Sequence, residues 1–445
     1  MSDRLPAELR EELDRVRLDN QLLRAQLLDA TTTHSVLSTV WAGGVRAVRW
    51  AARRLRSALP EGPPSRQVAE SPPPVAPYVV RRIRSQRREY RPRVLHVIAN
   101  FHLGGSSRLV VDLVEHLDHC YEQEVVSWDV PPVPAYVGLR VDHEPRLTAA
   151  RVETRLRACR PALIHVHFLA HHRDPYSAAA WSWYRHWFAA AERLGIPVIE
   201  NVNIPTDPYV SDAVACYVHV SDYVRQRFGR SDGRHVTIHP GSDLSRFARR
   251  PGAVRADDCI GMTYRLEGDK LDERSIDPFI DVVRRRPAAR ALIVGGGRFL
   301  EPYRSRATAA GLTDAFTFTG YVPFDELPAL YERMGVFVAP VHRESFGQVS
   351  VFAMGMELPV VGYRVGALEE ITGDPELLAP PGDPERLAEI IVGLLDDPDR
   401  AREIGVANRR RAEGRFSVGA MVSAYEALYS ELTGVPRAPV SGGSA

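Results

Sequence analysis

The chain has 445 residues, enough for two or three domains at roughly 150 residues each. Its composition, 44 % apolar and 25 % charged, is that of a soluble globular protein and excludes disorder throughout. The net charge of +1 hides an asymmetry: residues 1–93 carry 18 Arg against 10 acids, net +8, and the remainder carries 39 basic against 46 acidic residues, net −7. That split predicts a basic arm that meets something anionic. Four scattered cysteines (Cys120, Cys159, Cys216, Cys259), none in a CxxC pair, exclude a disulfide-stapled miniature. They argue against a zinc or redox centre and fit a reducing compartment. With no apolar run of about 18 residues and a charged N-terminus unlike a signal peptide, the expected location is cytoplasmic, at most peripheral on a membrane.

Residues 5–29 read as a helix in which Leu9, Leu13, Val16, Asn20, Leu23 and Leu27 step by four and three. This heptad seam has Asn20 at an a position, and Glu12 and Asp19 at g stand before Arg17 and Arg24 at e. The pattern predicts a parallel homodimer through residues 1–35; an amphipathic helix packed on its own protein is the alternative. In residues 38–59, Trp41, Val45, Val48, Leu55 and Leu59 make one face, and Arg46, Arg49, Arg53, Arg54 and Arg56 lie largely off it. That pattern suits an anionic membrane surface. A Pro-rich linker and a second basic run, Arg81 to Arg93, follow, so residues 36–92 read as a basic amphipathic segment with its linker; a solvated arm is the alternative. No nucleic-acid module accompanies the arginines, which argues against nucleic acid as a partner.

From Arg93 the pattern becomes alternating strands and helices. VLHVIANF (94–101), LIHVHF (163–168), PVIENVN (197–203), YVHVS (217–221) and HVTIHPG (235–241) form a first block of strands. CIGMTY (259–264), ARALIVGGG (289–297), AFTFTGYV (315–322), VFVAPV (336–341) and PVVGY (359–363) form a second. Strand–helix repetition of this kind predicts an α/β fold with parallel sheets. The expectation is two Rossmann-like domains, 93–250 and 251–416, then an amphipathic helix over 417–433 and a disordered tail over 434–445. Segment 383–413 reads as helical, and a helix is expected from about Arg108 to Leu117.

Ligands of open parallel sheets collect beyond the carboxyl ends of strands. Gly104-Gly105 sits at such an end, where a helix start favours an anion; a plain tight turn explains it equally. Gly295-Gly296-Gly297 occupies the analogous place in the second block. Of 57 basic residues, 56 are Arg and one is Lys, Lys270, which follows a strand in TYRLEGDK together with Arg265. A lysine kept where all others are arginine points to a need for a compact point charge. Two cations on that loop suit a diphosphate; ordinary surface charge is the alternative. In ESFGQVSVFAMG (344–355), Glu344 follows a strand, Gly347 allows a sharp turn, and a helix begins near Gln348. An acid beside an anion-binding helix start suits sugar hydroxyls; the plain alternative is a helix cap.

These stretches, with ELPVVGYRVGALEEI, APPGDPERLAEII and the turn HVTIHPGSDLSRF, resemble GT-B glycosyltransferases of family four over residues 93–433. The resemblance implies a retaining glycosyltransferase that takes a nucleotide sugar as substrate, with no cofactor and no metal, in an interdomain cleft. It implies Glu344, Asn203 and His167 as catalytic candidates. Arg265, Lys270, Phe346, Gly347, Gln348, Val349 and Gly295 are the donor contacts, with Gly104 and Gly105 as a phosphate and acceptor loop. In the family the second acid of the E-x7-E element usually binds the nucleotide ribose; here Phe352 stands in its place, and a histidine common in the family is replaced by Asn203. His165 and His167 read either as structural or as partial substitutes for it, and His171-His172 are spaced poorly for metal. The acceptor is unidentified; the basic arm suggests a membrane-associated one. The competing readings are a degenerate glycosyltransferase serving as an assembly partner and another GT-B enzyme such as a sugar-nucleotide epimerase.

Overall fold

The computed structural model describes residues 78–80, 91–102, 104–131, 136–168, 175–250, 252 and 256–436. The heptad helix, the basic amphipathic segment, the Pro-rich linker, residues 81–90 of the second basic run, His171-His172 and the end of the C-terminal tail lie outside them.

The first block forms a seven-stranded sheet from β1 (Arg93–Asn100), β2 (Glu122–Asp129), β3 (Val141–His143), β4 (Leu163–Phe168), β5 (Val198–Val202), β6 (Val214–His219) and β7 (His235–Thr237). Its order is β3-β2-β1-β4-β5-β6-β7, every pair parallel. The second block forms a six-stranded sheet from β8 (Cys259–Thr263), β9 (Arg290–Val294), β10 (Phe316–Phe318), β11 (Val336–Ala339), β12 (Val360–Tyr363) and β13 (Leu378–Ala379). Its order is β10-β9-β8-β11-β12-β13, again all parallel. Parallel pairing requires crossovers on the sheet faces, which bury both sides of each central strand. Hence the interiors of β1, β4 and β11 are apolar apart from His96, His165 and His167, and the strands are buried along almost their whole length.

Both sheets reverse direction at a switch point, between β1 and β4 in the first and between β8 and β11 in the second. Loops leaving the carboxyl ends of these strands diverge and leave a crevice. Helix α1 (Gly105–Leu117) leaves β1, and α2 (Ala149–Cys159), α3 (Pro175–Leu194) and α4 (Asp222–Phe228) complete the first half. The second carries α5 (Asp277–Arg285), α6 (Leu300–Ala309), α7 (Leu327–Tyr331), α8 (Gln348–Gly355), α9 (Leu368–Thr372), α10 (Pro384–Asp396) and α11 (Pro398–Arg415).

One sequence reading needs correction, and a second holds in finer detail. Helix α1 begins at Gly105, not near Arg108, because Gly104 is extended and the helix starts directly after it. The helical stretch 383–413 is two helices: Asp397 caps α11 by accepting from the Arg400 amide, and Pro398 cannot donate to the helix before it.

The last helix, α12 (Val418–Thr433), leaves the second half and packs on the first sheet. Its Met421, Val422, Tyr425, Leu428 and Tyr429 share one core with Val94, Leu163, Ile199 and Val218 of that sheet and with Leu109, Leu113 and Leu117 of α1. The chain therefore crosses between the halves twice, and the two crossings run side by side at a Ser242–Ser417 bridge.

Candidate functional site

The second switch point places Lys270, on the loop after β8, opposite Glu344, on the loop after β11. The Lys270 Nζ donates to Glu344 Oε1 at 2.7 Å and to Oε2 at 2.9 Å. The Glu344 side chain is 1 % exposed and that of Lys270 is 37 % exposed. An ammonium has three N–H donors, so one stays available toward the crevice after both carboxylate oxygens are served. The Ser345 amide also donates to Glu344 Oε1, and the backbone of Gly366 leaves no room for a side chain beside the Glu344 carbonyl. Glu344 is thus held from three sides. It does not cap α8, whose N-cap is Gly347 at φ 100°, a conformation that favours glycine.

The loop 345–348 ties the two halves together. Ser221, which caps α4, donates from Oγ to the Ser345 carbonyl at 2.6 Å. Gln348 donates to the Gly241 carbonyl in the interdomain turn. A Cβ built on Gly105 would stand 3.5 Å from Gln348 Oε1, so the glycine loop after β1 faces the start of α8 directly. Helix starts leave unpaired N–H groups and carry partial positive charge, so two such starts, α1 and α8, converge on one crevice.

The other candidates are distributed differently. Arg265 is 71 % exposed and pairs with Asp269, four residues on, rather than with Glu344. It lines an open depression with Glu267, Arg298 and Tyr321. The Phe346 side chain is buried against His239 and Phe416, and the Val349 carbonyl accepts from the Tyr331 hydroxyl, so of this pair only backbone N–H groups can serve a ligand. At Gly295, with φ 129°, a Cβ would lie 1.9 Å from the Tyr264 carbonyl; this glycine lets the loops after β8 and β9 touch. Asn203 follows β5; its Oδ1 accepts from Asn201 Nδ2, whose own Oδ1 accepts from the Tyr425 hydroxyl. That chain turns the Asn203 amide so that its buried Nδ2 has no partner.

His167 does not stand in the crevice. It is fully buried beneath α12 with His96 and His165, because β1 and β4 are neighbours and the three side chains share one face of the sheet. Phe352 is likewise a core residue, stacked on Phe247 with ring centres 4.0 Å apart and planes at 5°. Sequence reading did not single out Glu370. It accepts from the Asp222 and Tyr223 amides at the start of α4 and from His239, which joins the halves a second time. Although burial alone raises the Glu370 carboxyl, the His239 and amide bonds hold it below its ordinary value. Its signal was only an acid in LEEIT near a strand end, which many surface helices share.

Two doubly wound parallel sheets, joined by paired crossovers and meeting at their switch points, define a GT-B fold of the glycosyltransferase type. Residues 270–397 match the family model Glycosyl transferases group 1, so this half carries a glycosyltransferase-family domain. A GDP-mannose-dependent alpha-(1-6)-phosphatidylinositol monomannoside mannosyltransferase of Mycobacterium tuberculosis is 32 % identical over 222 residues, covering 45 % of this chain and 57 % of that enzyme. The chain thus spans little more than half the length of that relative. A D-inositol 3-phosphate glycosyltransferase of Segniliparus rotundus is 27 % identical over 375 residues, 72 % of this chain and 78 % of that one. HepE of Anabaena, solved with UDP, superposes with a TM-score of 0.62 at 18 % identity, over 76 % of this chain and 100 % of that one. Among the described residues no helix is long and apolar enough to cross a membrane.

Proposed function

We propose that this chain is a retaining glycosyltransferase that moves a sugar from a nucleotide-sugar donor to an acceptor hydroxyl in the crevice between the two sheets. The observation that carries the reading is the Lys270–Glu344 pair at the second switch point, set beside the start of α8. In this reading Glu344 binds donor sugar hydroxyls. The third Lys270 donor and the α8 amides stabilise the diphosphate as the anomeric C–O bond breaks, the electrostatic help that speeds departure of an anion. The exposed Arg265 joins them only by leaving Asp269. Asn203 Nδ2 is a buried donor without a partner, and it serves a substrate oxygen only once its amide is uncovered. The GDP-mannose dependence of the mycobacterial relative makes GDP-mannose the first donor to test.

The test is thermal stabilisation by GDP-mannose, UDP-glucose and free nucleoside diphosphates, followed by donor hydrolysis. A ligand that binds only the native state raises Tm with its concentration. Glu344→Gln should lower hydrolysis at least tenfold and leave nucleoside diphosphate binding unchanged. No stabilisation by any nucleotide sugar overturns the reading. One observation favours a non-catalytic assembly partner, the aromatic side chain at 352 where the family pattern has an acid. Donor binding without hydrolysis or transfer would support that second reading.

The N-terminal 92 residues are assigned to parallel dimerisation and to an anionic membrane surface where the acceptor resides. Sedimentation of the full chain and of a chain lacking residues 1–35 tests the first. Co-sedimentation with anionic and neutral vesicles at low salt tests the second, and equal binding to both vesicle types removes it.

A further inference from the structure

The row of strands beneath α12 carries polar side chains where an apolar core is expected. His96 on β1 lies beside His165 on β4, and His167 follows two residues on, so all three project from one face toward α12. They are fully buried; Val94, Leu163 and Ile199 fill the same face, and Asn201, which accepts from the Tyr425 hydroxyl, stands beside His167 on β5. Among the described residues this is the one group of three whose ligand atoms, one per residue, lie within 4.8 Å of one another.

The proton positions follow from the neighbours. Gln123 Nε2 donates to the Leu113 and Val114 carbonyls, which turns its Oε1 toward His96 Nε2 at 3.0 Å. An amide oxygen only accepts, so His96 Nε2 carries the proton and Nδ1 is a bare lone pair. That lone pair is 3.1 Å from His167 Nε2, which must then carry a proton and leave His167 Nδ1 bare. His167 Nδ1 has no partner. His165 Nδ1 meets the Tyr429 hydroxyl at 2.6 Å, and His165 Nε2 has no partner either. Two imidazole nitrogens are therefore unsatisfied in a fully buried place, an arrangement native proteins rarely keep without reason.

We propose that His96, His165 and His167 form a binding site for a first-row transition-metal ion, Zn2+ in the first instance, between the first sheet and α12 and apart from the sugar-transfer crevice. Three imidazoles suit zinc and not magnesium or calcium, which take oxygen ligands. Gln123 and Tyr429 already hold the outward nitrogens of His96 and His165, the arrangement usual behind metal-bound imidazoles. Ligands of a tetrahedral zinc stand about 3.3 Å apart, so ligand atoms now within 4.8 Å of one another close by up to about 1.5 Å, with the fourth position left to a solvent-derived ligand.

The experiment uses the full chain, stripped with a chelator, dialysed against Zn2+ and analysed for bound metal. We expect one ion per chain, a rise in Tm on adding Zn2+, and with Co2+ the visible absorption of a four-coordinate ion. His165→Gln and His167→Gln should lose the ion, whereas His102→Gln, at the exposed pair with Asp129, should keep it. Tyr429→Phe keeps the ring in its core and should weaken Zn2+ binding about 10- to 100-fold. It decides the matter if the histidine variants fail to fold. No bound ion, an ion lost with His102→Gln instead, or an affinity unmoved by Tyr429→Phe each overturns the site.

Discussion

Replacing Lys270 with methionine should destabilise the ligand-free protein more than replacing its partner Glu344 with glutamine, although each change breaks the same ion pair. The asymmetry comes from exposure: the carboxylate is 1 % exposed and the ammonium 37 %. Lys270→Met strands a buried carboxylate with one remaining partner, the Ser345 amide. Orphaning one member of a buried pair costs about 3–5 kcal/mol. The cost has a ceiling, because the carboxyl can take up a proton; for an ordinary glutamate at pH 7 that ceiling is about 3.7 kcal/mol. A loss of about 3 kcal/mol is therefore expected. Glu344→Gln leaves an ammonium that reaches water and an amide oxygen that still accepts from it, so the loss is about 1 kcal/mol. The sign with pH also differs. The stranded carboxyl favours its protonated form in the fold, so the Lys270→Met deficit shrinks as pH falls toward 5 and grows toward 7. The Glu344→Gln deficit has no such slope, and the double variant should recover part of the loss. Urea unfolding between pH 5 and 8 measures all four proteins. Equal losses in the two single variants, or a Lys270→Met deficit that is flat with pH, would refute the reasoning.

Gly366→Ala should lower stability by about 2 kcal/mol or more and reduce turnover with it, because φ is +56° and the new Cβ would fall 1.9 Å from the Glu344 carbonyl; unchanged melting would exclude the contact. His96, at about 4 in the fold against 6.5 in an unfolded chain, binds its proton later in the native state. Stability of the metal-free protein should therefore fall as pH drops from 6.5 to 4, by up to about 3 kcal/mol from this residue, and His96→Gln should make the acid limb of a pH–stability curve shallower. Arg409→Met removes a donor shared by the Leu244, Phe247 and Gly355 carbonyls and should cost about 2 kcal/mol in denaturant unfolding, with no change in nucleotide affinity.

The parallel α/β character was legible because both-face burial writes strands as mostly apolar runs between helices, as in VLHVIANF and VFVAPV. Lys270 was legible because it is the one lysine among 57 basic residues, and Glu344 because it follows a strand and precedes a glycine turn. Their pairing was not legible, since it depends on β8 and β11 being neighbours, which no local pattern states. The direction of Arg265 was not legible for the same reason: a place five residues from Lys270 on a loop says nothing of direction, and Asp269, nearer along the chain, pairs with it. The amphipathic pattern of α12 announced a buried face but not that the face lies on the first sheet. The histidines looked isolated, and HVH on one strand fixes only that two share a face. The third comes from a strand 69 residues earlier, brought alongside by the sheet order.

Phe352 shows how a departure from a family pattern can leave part of a site standing. Its ring is stacked on Phe247, which belongs to the segment joining the sheets, and meets Phe324 edge-on. An acid at that depth, without a cation beside it, would face a large desolvation cost, so the surrounding packing and the aromatic side chain are consistent with each other. The stack also fastens α8 to the interdomain segment, which keeps the start of α8 aimed at the glycine loop after β1. Glu344 depends on none of this: Lys270, the Ser345 amide and Gly366 position it from the other end of the loop. In the proposed reading the sugar and diphosphate end of the crevice is therefore built independently of the ribose end. Recognition should accordingly fall on the transferred sugar and the phosphates, while the ribose hydroxyls meet no carboxylate at position 352.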